Sequence, residues 1–170
     1  MQGQHATSSR AFQTARFDKY DKLCRTEGLK FLADLGFRGE DVPENYQYDL
    51  IGHGANGYQR IEVCHNKLLP GDLERGTYWL FDRKVKDYDR LIVFSLLEGT
   101  PTAAMWKMDD LKTHLTKHPL TGRYPNWRIE TRNGEKQLTV GIPTSKARIF
   151  ERIQGRWVET TASRSLSKWN

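Results

Sequence analysis

The chain has 170 residues, 37% apolar and 28% charged, and its 27 Lys and Arg against 21 Asp and Glu give a net charge of +6. That length suits one ordinary domain and the aromatic content excludes a disordered chain, while the positive balance favours a polyanionic partner, foremost the phosphates of nucleic acid. Cys24 and Cys64 stand far apart, which excludes a disulfide framework; no apolar run is long enough to span a bilayer and no hydrophobic leader opens the chain, so a soluble protein of the reducing cytoplasm is expected.

The expected organisation is a flexible N-terminus over 1–10, a single α/β domain over 11–160 and a flexible polar tail over 161–170. Phe12, Tyr20, Leu23, Cys24, Phe31, Leu32 and Leu35 recur at helical spacing and predict a long leading helix from about Ser9 to Leu35, closed by Gly36 and Gly39. Strand-like segments follow: YQYDLIG, YQRIEVC, TYWLF and RLIVFSLL, the first two joined by a hairpin turn in HGANG. MDDLKTHLTKH predicts a second helix and PTSKARIFERI a third, with a hairpin of WRIET and QLTVGI across RNGEK between them.

Two acidic residues interrupt the strand-forming sequence, Asp49 in YDLI and Glu62 in RIEVC. Alternation along a strand puts Glu62 and Cys64 on one face and Ile61 and Val63 on the other, and a hairpin pairing would bring Asp49 close to Glu62. Two such carboxylates repel unless a cation lies between them, and hard oxygen donors suit Mg²⁺ or Mn²⁺, ions able to support phosphodiester hydrolysis.

With its leading helix, Asp49 at a strand start, Glu62 on the next strand and KDYDRLIVFSLL beyond, the chain resembles the PD-(D/E)xK nucleases over roughly Phe17 to Leu97. The resemblance implies a restriction-endonuclease-like mixed β-sheet flanked by helices, metal-dependent cleavage of duplex or branched DNA, Asp49 and Glu62 as metal ligands, Glu27 as a third acidic group and a possible homodimer. Where that family has lysine this chain has Cys64, so the resemblance implies either that another cation reaches the site, Lys67 being nearest and Lys84 or Lys86 alternatives, or that the fold has kept its shape and lost catalysis. In the latter case the protein would bind nucleic acid or a partner protein, as a regulator or inhibitor. Cys64-His65-Asn66-Lys67 also resembles the close of an HNH motif, but the rest of that motif is missing.

Arg60, Lys84, Lys86, Arg128 and Arg132 are the candidate phosphate contacts. A further run of cations interleaved with aromatics, Lys107, Lys112, Lys117 and Arg123 among them, marks the C-terminal half as the expected nucleic-acid surface.

Overall fold

Cys24, Glu27, Gly28, Phe31 and Leu32 repeat at three- and four-residue intervals, and all five are buried. They form the inner stripe of helix α1, residues 20–34. The helix ends at Gly36, whose φ of +87° suits only glycine comfortably, and the Phe37 N–H returns to the Leu32 carbonyl at 2.8 Å to close the last turn. The computed structural model describes residues 20–43, 46–132 and 134–160. The expected helix between Ser9 and Lys19 and the expected flexible ends, 1–10 and 161–170, lie outside those residues.

Among the described residues ten strands follow: β1 Arg38–Asp41, β2 Leu50–Gly54, β3 Gly57–His65, β4 Thr77–Phe81, β5 Arg90–Ser95, β6 Thr102–Lys107, β7 Trp127–Arg132, β8 Glu135–Pro143, β9 Arg148–Ile153 and β10 Arg156–Glu159. A short helix, α2 Leu69–Arg75, sits between β3 and β4. Seven strands form a mixed sheet in the order β1-β2-β3-β5-β6-β9-β10, and β4-β8-β7 form a second, antiparallel sheet. The β3–β5 pair is parallel, aligning Glu62 with Leu91 and Cys64 with Val93, while the other pairs of the large sheet are antiparallel. Parallel neighbours need a crossover, and this one runs through α2 and β4. The architecture is thus mixed α/β, and no described helix is long and apolar enough to cross a membrane.

The centre of the large sheet is buried on both faces, which is why β5 reads as an unbroken apolar run and only its first residue, Arg90, escapes full burial. On one face α1 packs with Leu50, Ile61, Val63, Ile92, Phe94, Phe150 and Trp157. Contact there is close enough that a Cβ on Gly28 would stand 2.6 Å from the Leu50 side chain and 3.3 Å from that of Val63. On the other face Leu91, Val93, Ala104 and Trp106 meet α2 and the small sheet through Leu69, Tyr78, Leu80, Val140 and Ile142.

Both expected hairpins form: Gly54 pairs with Gly57 around HGANG, and Arg132 pairs with Glu135 at the β7–β8 turn. Two expected helices do not. In MDDLKTHLTKH only Met108–Leu111 forms helix, as a 3₁₀ turn, because the apolar stripe of Met108, Leu111 and Leu115 goes no further and Pro119 disfavours helical backbone at His118. PTSKARIFERI gives a 3₁₀ turn and then β9, since its adjacent Ile149 and Phe150 serve opposite faces of the sheet.

Candidate active site

Asp49 lies where β1, β2 and β3 converge. Its carbonyl accepts the Val42 N–H at 3.1 Å, its own N–H donates to the Ile61 carbonyl at 2.9 Å, and its Oδ2 accepts the Val63 N–H at 2.9 Å. Residue 49 is thus tied to the backbone on both sides of Glu62, through its own N–H to Ile61 and through its carboxylate to Val63. Arg25, on α1, donates to Asp49 Oδ1 at 3.1 Å and also reaches Asp41 Oδ1, the Val42 carbonyl and Asp21, so one guanidinium pins the helix to the start of β2.

Glu62 points to the opposite face from Ile61 and Val63, as strand alternation requires, and is only 3% exposed. Its Oε1 receives the ammonium of Lys84 at 2.6 Å. Lys84 ends a 3₁₀ turn, Asp82–Lys84, directly after β4, and its carbonyl accepts the hydroxyl of buried Tyr88. The small sheet therefore delivers a cation to a glutamate of the large one.

Burial pushes Glu62 up to about 7, against the pull of Lys84, and the negative charge of Asp49 adds to the rise. Burial opposes charge on Lys84 too, yet Glu62 and the groups beside it hold its ammonium above the usual lysine range. Cys64, half-buried on the same face and 3.8 Å from the Tyr78 hydroxyl, has its thiol pushed up to about 11 by burial, so it is neutral at physiological pH and an unactivated nucleophile. The cluster therefore holds two carboxylates, one ammonium and one neutral thiol.

The remaining expected residues lie elsewhere. Glu27 is buried on the α1 face, where it accepts the Trp157 indole N–H at 2.9 Å and Arg152 at 3.2 Å, across the sheet from Glu62. Helical spacing placed it correctly on the inner stripe but could not tell which face of the sheet that stripe would cover. Lys67 is exposed on the turn before α2, and the cation that meets Glu62 comes from Lys84 instead. Lys86 is exposed and adds a weaker pull on Glu62.

Arg60 is held by Asp87 and Asp89 at 3.1 and 3.2 Å, which raises it further, so it meets a phosphate only by leaving them. Arg128 lies over the Trp79 ring at 3.9 Å and pairs with Glu130. Arg132 ends β7, and its side chain lies outside the described residues. His65 stacks on Tyr20 and its Nε2 accepts the Leu96 N–H at 3.2 Å, a packing role rather than an HNH one.

Sequence reading missed Arg25, whose signal was its i,i+4 spacing from Asp21, and missed the tyrosines Tyr78 and Tyr88 beside the cluster. Fold and site together define a mixed α/β protein with an acidic pair and a lysine gathered at one end of two antiparallel strands. Comparison with models of protein families, with curated proteins and with solved structures gave no match.

Proposed function

We propose that the protein is a metal-dependent nuclease of DNA whose acidic pair is Asp49 and Glu62 and in which Lys84 stands in for the lysine that Cys64 displaces. One observation carries the reading: the Lys84 ammonium lies 2.6 Å from Glu62 although it comes from 22 residues downstream. A lysine two residues after Glu62 would emerge on the same strand face, and Lys84 supplies that charge from a neighbouring turn. The order helix, β1, β2, β3, helix, with β5 parallel to β3, supports the same reading.

Among the described residues no group of three or more Asp, Glu, His or Cys converges as a metal cage. Two carboxylates still fit Mg²⁺ or Mn²⁺, because Mg²⁺ keeps several waters and commonly binds through one or two carboxylates. Asp49 and Glu62 would hold the ion, which would supply Lewis-acid stabilisation of a phosphoryl oxygen. The chain's own groups would do the rest: Lys84 offsets charge at the phosphate, Arg25 and the Val63 N–H fix the Asp49 carboxylate, and Tyr88 holds the turn that carries Lys84.

Cleavage of single-stranded, duplex and branched DNA with Mg²⁺ or Mn²⁺ tests the reading against Asp49→Ala, Glu62→Ala and Lys84→Met. Loss of cleavage by two orders of magnitude or more is expected in each; full activity in the first two eliminates the assignment.

One observation favours a second reading, a non-catalytic protein of the same fold that binds nucleic acid. Both Asp49 oxygens and Glu62 Oε1 already have protein donors, in Arg25, the Val63 N–H and Lys84. Binding without cleavage under either metal, with cleavage appearing in Cys64→Lys, would mark this reading as the correct one.

A further inference from the structure

Between the 3₁₀ turn Met108–Leu111 and β7, residues 112–126 form a long loop held in one shape by its own hydrogen bonds. The His118 N–H donates to the Arg123 carbonyl and the Gly122 N–H to the His118 carbonyl, both at 2.8 Å, while His118 Nδ1 accepts the Leu120 N–H at 3.1 Å. Gly122 takes a φ of +68° to allow the closure. The loop borders an open groove of about 720 Å³, within the size range of ligand clefts, and Lys112, Lys117, His118, Arg123, Tyr124 and Trp127 are among the residues lining it.

The groove combines cations with aromatic rings. Arg123 stacks over Trp127 at 4.4 Å and Lys117 lies 5.2 Å from the Tyr124 ring centre. Trp127 remains 37% exposed. Arg123 has no acidic partner among the described residues. Lys112 pairs with Asp109 and Lys117 with Asp82 at 3.2 and 3.4 Å, but these are exposed contacts that a phosphate can replace at little cost.

We propose that this groove holds a single-stranded segment of nucleic acid, its phosphates against Lys112, Lys117 and Arg123 and one base stacked at the Arg123–Trp127 pair. Cations that track a backbone beside an aromatic platform are the physical requirement for such binding, whereas duplex DNA hides its base faces in the stack. The groove also shares a structural part with the carboxylate cluster. Tyr124 and Lys117 both hold Asp82, the first residue of the 3₁₀ turn that ends at Lys84. The inference rests on the nuclease reading only for nucleic acid as the polyanion; the binding itself needs no cleavage.

The test is fluorescence anisotropy of the full chain with a labelled single-stranded DNA of about a dozen nucleotides, in EDTA and over a range of salt. Lys112→Glu with Arg123→Glu is expected to weaken binding more than about tenfold and to flatten its salt dependence. Trp127→Ala is expected to weaken it about tenfold with the salt slope kept, and to leave duplex binding unchanged. Arg123→Lys, which keeps the charge, should retain the salt slope. Wild-type affinity in both the charge-reversed and Trp127→Ala proteins overturns the inference, as does heparin displacing the strand while Trp127→Ala binds like the wild type. Groove variants that bind weakly in a protein that never cleaves leave the groove standing and the nuclease reading failed; cleavage unaffected by the groove variants does the reverse.

Discussion

Glu27 and Glu62 are both glutamates at 5% exposure or less, on opposite faces of one sheet, and they do different work. Glu27 faces the aromatic cluster around Phe31 and Trp157, and its two oxygens are answered by an indole N–H and a guanidinium, which tie α1 to β9 and β10. Glu62 has one lysine, a second carboxylate nearby and a neutral thiol on its own face, and burial leaves its proton exchangeable near neutral pH. Burial alone does not tell these two carboxylates apart; the partners around each of them do.

The largest expected break in this contrast is Lys84→Met. Glu62 already sits at about 7 against an ordinary 4.5, and removing the ammonium raises it further. A carboxyl group raised on folding adds stability that is complete below its unfolded pKa and is lost as pH rises through the folded one. The variant should therefore lose about 3 kcal/mol at pH 8 and far less at pH 5, read by chemical denaturation at both; equal losses at the two pH values would show that Glu62 is not the group involved.

On the other face, Glu27→Gln keeps an oxygen for the Trp157 N–H and removes only the charge seen by Arg152. A loss of about 1–2 kcal/mol is expected in the same assay, with nucleic-acid cleavage retained. Gly28→Ala tests how tightly that face is packed. The new methyl must displace Leu50 and Val63, a cost partly offset by the better helix former, so a net loss of about 1 kcal/mol in thermal unfolding is expected. Lys67→Ala is the smallest change, within about 0.5 kcal/mol of the wild type and without effect on cleavage, because that side chain is exposed and Lys84 meets Glu62.

Local signals carried much of the fold. The 3.6-residue stripe of α1, the turn chemistry of HGANG and RNGEK, and the β-branched runs of β3 and β5 each gave their element directly. Strand alternation also put Glu62 and Cys64 together and away from Ile61 and Val63, and the hairpin brought Asp49 beside them. What stayed hidden depends on tertiary partners. β1 reads as the polar RGED because it is an edge strand, and β9 reads as a helix because Ile149 and Phe150 feed different cores. Lys84 was visible as one of several nearby lysines, but its selection depends on β4 leaving the large sheet, which no local pattern encodes. For the same reason the sequence listed the cations of the C-terminal half without showing that Lys112, Lys117 and Arg123 share one groove.

The placement of β4 has a consequence for the order in which the chain matures. It lies inside the β3–β5 crossover, yet its hydrogen-bonding partner is β8, which begins only at Glu135. A ribosome releases β1, β2, β3 and β5 well before that partner, so Tyr78 and Leu80 must wait uncovered while much of the large sheet is already available to pair. Lys84 is carried on the end of β4, and its seat beside Glu62 can settle only when β8 arrives. The acidic pair needs only β2 and β3 to form, whereas the turn that carries Lys84 gains its sheet partner only once β8 has been made.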